Sequence, residues 1–168
     1  MIYQNLIDVS LLNNLINVHV DSIYSNGLTV YKNHIETQLF TIRLENKSWL
    51  NFTNQAKETP NNNDYYKFLI NHTSVPNINY DDKWNSIAYP FSKISFKSAK
   101  IECIEIYNRA EKYDDETLDY DVLILFKCNK KFQFIISLEE RVDEAFVYSS
   151  NSKTINRYLT GLKLRTTL

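Results

Sequence analysis

Glycine and proline are scarce, with two and three in 168 residues. That excludes collagen-like and glycine-rich elastic chains. With only Gly27 and Gly161 available, neither a GxGxxG turn nor a GxxxxGKS/T phosphate loop can be written. A GxSxG nucleophile elbow is excluded on the same ground. Histidine is sparse too: His19, His34 and His72 stand far apart and form no HxH, HExxH or Cys/His cluster. Each reads as a surface or core imidazole, although a Ser-His-Asp set assembles in space and spacing does not exclude it. Cysteine is limited to Cys103 and Cys128, whose separation fits no zinc or redox motif. Both lie in apolar, strand-like runs. They read as two buried free thiols in a reducing compartment, with one disulfide between neighbouring strands as the alternative.

An excess of one charge is also missing. Nineteen Lys and Arg face twenty Asp and Glu, for a net charge of −1, so no global field draws in nucleic acid. Lys93, Lys97 and Lys100 with Lys153, Arg157, Lys163 and Arg165 could form a basic patch, but no aromatic-interleaved RNA-reading motif accompanies them, and no nucleic-acid partner is expected. No window approaches the roughly 20 apolar residues of a membrane-spanning helix. The opening stretch MIYQNLIDVSLLNNLINV has no basic segment and no small-residue cleavage site. The expectation is a cytoplasmic protein without membrane attachment.

What is present is a globular composition, 43% apolar and 14% aromatic, in one domain over residues 1–168. Leu11, Leu12, Leu15 and Ile16 make an apolar helical stripe, predicting a helix over 9–17 with Ser10 as its N-cap. Asn26-Gly27 marks a turn. LTVYK (28–32) would pair with IETQLFTIRL (35–44) through Asn33-His34, with a bulge at Leu39 beside Phe40. Residues 45–63 turn polar and read as loop with at most a short strand. Tyr65, Phe68 and Leu69 predict a two-turn helix over 64–71, and 72–91 reads as a long irregular connection.

From residue 92 the pattern is β. Ile94 and Phe96 alternate with lysines and serines, and a bend is expected near 98–100. Val122, Ile124 and Phe126 form one face of a strand whose other face carries Leu123 and Leu125, so this strand reads as central and covered on both sides. Phe132, Phe134, Ile136 and Leu138 alternate cleanly after a tight turn at 128–131, where Asn129 suits positive φ. EAFVYS (144–149) is a further strand. Ser152 or Thr154 would cap a closing helix through Leu162 that ends near Gly161. About seven strands joined by turns give a β-rich α+β fold: an antiparallel meander sheet, rolled or sandwiched, with two or three short helices.

The charge layout is uneven. Residues 111–144 sum to −5 and residues 145–168 to +4. Six of the eleven residues from Glu111 to Asp121 are acidic. A calcium ladder would need a glycine turn that is absent. A catalytic carboxylate pair would need one member desolvated. A solvated hairpin loop needs nothing special, and an acidic surface facing a basic partner is the functional reading. In that reading Asp114, Asp115, Glu116, Asp119 and Asp121 supply charge, and Tyr113 and Tyr120 act as rigid amphipathic anchors. Strands favour tyrosine for their own reasons, which is the other account of these two. Glu139, Glu140, Asp143 and Glu144 would return to the same sheet edge. No catalytic residue, metal site or cofactor is indicated.

The short helix (VSLLNNLINV), the pair LTVYK and IETQLFTIRL, and the late meander ISFKSAKIECIEIY, DVLILFKC, KFQFIISL and EAFVYS resemble immunity proteins of bacterial polymorphic toxin systems. The resemblance leaves 45–91 and 152–168 uncovered and carries over no site residue. It implies a non-enzymatic protein that binds and blocks a cognate toxin. The alternative is a small-ligand carrier or enzyme on a β-barrel, with a cavity lined by Phe and Tyr.

Overall fold

A computed structural model describes residues 2–25, 27, 29–37, 40–77, 80–81, 86–87, 92–129, 132–138 and 144–168. Among these, fourteen strands and two short helices follow in the order β1 (Ile2–Asn5), α1 (Val9–Asn13), β2 (His19–Ser25), β3 (Thr29–Val30), β4 (Ile35–Thr37), β5 (Phe40–Leu44), β6 (Trp49–Glu58), β7 (Asp64–Thr73), β8 (Tyr80–Asp81), β9 (Ser86–Ile87), β10 (Ser92–Lys112), β11 (Thr117–Cys128), β12 (Phe132–Leu138), β13 (Glu144–Ser149), α2 (Ser152–Leu159) and β14 (Lys163–Thr167). Twelve strands share one open sheet, ordered β3-β4-β13-β12-β11-β10-β2-β5-β6-β7, with β1 added to β11 and β14 to β10. All these pairings are antiparallel except β1 with β11. No helix of the described residues is long and apolar enough to cross a membrane.

The 21-residue β10 joins the two halves of the sheet. Residues 92–100 pair with β2, and 101–112 pair with β11. The register shifts between Ser95 and Ala99 and again between Ile101 and Cys103, where the sequence predicts a bend. Alternation then assigns the faces. Ile94, Ile23, Ile42 and Leu50 lie side by side on one face of β10, β2, β5 and β6. They meet Ile104, Ile106, Ile124, Phe126, Phe134 and Ile136 from the other half, with Leu12 and Leu15 of the first helical segment, in the larger core cluster. The opposite face of β11 and β12 places Leu123, Leu125 and Ile135 against Ile155 of α2 and Tyr65 of β7. The strand β11 is therefore central and buried on both faces, as its double apolar phase predicts.

One irregularity decides where the acidic residues go. Tyr107 pairs with Leu123 and Asn108 with Asp121, which leaves Val122 as an extra residue. Val122 consequently packs with Leu123 in the second cluster, not with Ile124 and Phe126 as simple alternation predicts. Below this bulge the phase is inverted. Leu118 and Tyr120 turn toward the second cluster, and Asp119 and Asp121 turn toward the side of Asn108 and Ile106.

Several expectations are corrected. The first helix is shorter than 9–17, and its N-cap is Asp8, whose carboxylate accepts the Ser10 N–H at 2.9 Å. The loop expected at 45–63 contains a ten-residue strand, and the helix expected at 64–71 is its partner. Every residue from Trp49 to Glu58 pairs with one from Thr73 to Asp64. A short apolar run satisfies both periodicities, and the pairing partner decided. Tyr31 N–H donates to His34 O at 2.9 Å and closes the β3–β4 turn, but IETQLFTIRL is two strands with different partners. Asn129 is not left-handed; its side-chain oxygen accepts the Lys100 N–H at 3.0 Å. The closing helix is capped by Asn151, and Gly161 at φ +80 turns the chain into an unexpected last strand. Asn26, the bulge at Leu39, Trp84, Tyr89, Lys130, Lys131, Glu139, Glu140 and Asp143 lie outside the described residues.

Candidate partner-binding site at the acidic hairpin

The acidic run forms the tip and lower arms of the β10–β11 hairpin. Tyr113 N–H donates to Glu116 O at 2.8 Å and closes the turn, leaving Asp114 and Asp115 exposed. Glu116 points inward and is 4% exposed. Its carboxylate accepts Asn63 Nδ2 at 2.7 Å, the Thr59 hydroxyl, and Asn61 Nδ2 at 3.3 Å. The bonds from Asn63 and Thr59 hold its pKa below the usual carboxylate value. These three donors sit in the β6–β7 turn, which Asn62 makes with a left-handed φ of 62°. One carboxylate thus buckles two hairpin tips together.

Above the turn, Glu111 accepts the hydroxyls of Tyr120 at 2.8 Å and Tyr113 at 3.0 Å. Burial, and then this bond to a carboxylate, push both phenols above their ordinary pKa. Tyr120 is buried and Tyr113 is half-buried. Asp119, half-buried, accepts Asn108 Nδ2 at 2.9 Å. Asp121 is 2% exposed. It takes Arg165 Nε and Nη2 at 2.7 Å each and the Ile7 N–H at 2.7 Å. Of the seven residues singled out in the sequence, Glu116, Tyr120 and Asp121 are turned inward, while Asp114, Asp115, part of Tyr113 and part of Asp119 face outward.

Sequence reasoning missed the partners. Thr59, Asn61 and Asn63 lie more than fifty positions from Glu116, in the polar stretch 45–63 that reads as loop. Arg165 had a visible signal: the acid excess of 111–144 is followed by the base excess of 145–168.

The other chemistry-bearing groups are engaged elsewhere. His19 Nδ1 is 3.0 Å from Glu45 Oε2. His34 stacks on Tyr31 with ring centroids 4.5 Å apart. His72 Nε2 meets the Ser48 hydroxyl, which also bonds Asn46 Oδ1. Cys103 and Cys128 are free thiols, and burial pushes Cys128 up to about 12. Among the described residues no three His, Cys, Asp or Glu are placed to hold a metal ion. His19, Val20, Asp21, Glu45 and Phe96 line a half-open depression with about 210 Å³ of empty space. No family model, curated protein or solved structure matches this chain.

Proposed function

We propose that this chain is a non-enzymatic protein-binding module, and that the partner it neutralises is a cognate toxin with a basic surface. The observation that carries the reading is the buckled hairpin tip. Glu116 is held by side chains of a second hairpin, so the turn that presents Asp114 and Asp115 is fixed before any partner arrives. A preorganised loop loses little entropy on binding. Two exposed carboxylates beside the half-buried ring of Tyr113 combine long-range attraction with a rigid amphipathic contact. The resemblance to toxin-immunity proteins supplies the class of partner.

The test uses the product of the neighbouring gene. Growth inhibition by that product, relieved by co-expression of this chain, is the expected outcome. Asp114→Lys with Asp115→Lys should lower the association rate about tenfold at low salt, with the difference shrinking as salt rises. A neighbouring product that inhibits equally with and without this chain overturns the toxin assignment. Unchanged affinity and on-rate in the reversed variant remove the hairpin from the interface.

A further inference from the structure

The outer face of β10, β2, β5 and β6, opposite the larger core, carries a feature independent of the acidic hairpin. Strand register sets Lys93 directly beside Tyr24, and Ser22 beside Arg43 beside Trp49. Lys93 Nζ lies 5.2 Å from the centre of the Tyr24 ring, and Arg43 Cζ lies 5.6 Å from the centre of the Trp49 ring. Tyr24 and Trp49 meet edge to face at 5.3 Å. The two rings are 7% and 8% exposed, whereas Lys93 is exposed and Arg43 is half-buried. The rings therefore act as a floor that positions two cations, and they offer no free face for stacking a base.

Burial raises the pKa of the Tyr24 phenol, but the neighbouring Lys93 and Arg43 outweigh it and leave the group below its ordinary value. The two cations thus stand over adjoining rings. Among the described residues neither Lys93 nor Arg43 has a carboxylate partner. Asp21, the acid of β2, accepts the hydroxyl of Ser22 at 2.8 Å. Two positive charges held over adjoining rings without a carboxylate between them favour an anion.

We propose that Lys93 and Arg43, held over the Tyr24–Trp49 floor, bind a phosphate dianion, free or as a monoester. A tetrahedral dianion matches a point-like ammonium and a planar fork better than a carboxylate does, because it offers an oxygen to each and matches their summed charge. The site lies on a different part of the sheet from Asp114 and Asp115, and its fate is separate from that of the toxin reading.

The test is fluorescence of Trp49 in a Trp84→Phe background, titrated with inorganic phosphate and with phosphoserine at constant ionic strength. A saturable change with a Kd below about 1 mM is expected. Lys93→Gln and Arg43→Gln should each weaken binding by about tenfold, whereas Lys93→Arg should retain it. Thermal melts of each variant establish that the sheet is folded. Tighter binding of either probe supports the site and tells the ester from the free anion. A response that chloride reproduces, no saturation up to about 20 mM, or full binding by a folded Lys93→Gln/Arg43→Gln variant overturns the proposal.

Discussion

Glu116 is a charged side chain held by neutral donors, and its pH response follows from that. The Asn63 amide and the Thr59 hydroxyl bond the ionised form, so the folded protein keeps its pKa below the ordinary glutamate value. A carboxyl with a depressed folded pKa contributes stability above its unfolded pKa, and loses that contribution as pH falls through the folded value. Glu116→Gln removes the ionisable group and places an amide donor against Asn63. Wild type should therefore be more stable than Glu116→Gln at neutral pH, and the gap should close as pH drops below about 4.5. Urea melts of both proteins across pH 7 to 3 provide the check. A gap that does not vary with pH would mean that the buckle is steric, not electrostatic.

At the scale of elements, the parts of the fold legible in the sequence are those where burial imposes a period. Phe134 and Ile136 alternate with Gln133 and Ser137 because one face meets the core, and β12 was readable to within a residue of its ends. The double phase of Leu123, Ile124, Leu125 and Phe126 revealed a strand covered on both sides. The outer part of β6 had no such pattern, since Gln55, Ala56, Lys57 and Glu58 are all exposed and only the ladder to β7 holds them straight. The last strand, Lys163–Thr167, is polar and half-exposed, and its position depends on pairing with β10. The acidic run was legible as a run, but which members turn inward was not, because that depends on one extra residue. Val122 shifts the phase of β11 between its two arms. Deleting it would send Asp119 and Asp121 toward the face of Leu118 and Tyr120, and those apolar groups the other way. The deletion should abolish cooperative unfolding or lower the melting temperature by more than about 10 °C, whereas Val122→Ala leaves the phase intact and should cost about 1–3 kcal/mol. Similar melts for both variants would show that the hairpin can shift register freely.

Across the whole molecule, Asp121 ties together three segments that are remote in sequence. Arg165 of β14 grips its carboxylate through two nitrogens, the N–H of Ile7 adds a third bond, and Arg165 Nη2 reaches the carbonyl of Ile7 at 3.4 Å. The side chain of Asp121 is fully buried and that of Arg165 is 21% exposed. A charge pair this enclosed adds little over an apolar pair of the same shape, yet removing one member strands the other. Arg165→Met should accordingly cost about 3–5 kcal/mol, and Asp121→Asn a similar amount. The double variant should cost clearly less than the sum, since neither charge is then left alone. The loss should also be delocalised. The segment leading to α1 and β14 lie on opposite flanks of the β10–β11 pair and meet through this one guanidinium. Hydrogen exchange should therefore quicken in residues 2–8 and 163–167 together in Arg165→Met, while β11 and β12 stay protected. Faster exchange confined to 163–167 would show that β1 is held by its pairing with β11 alone.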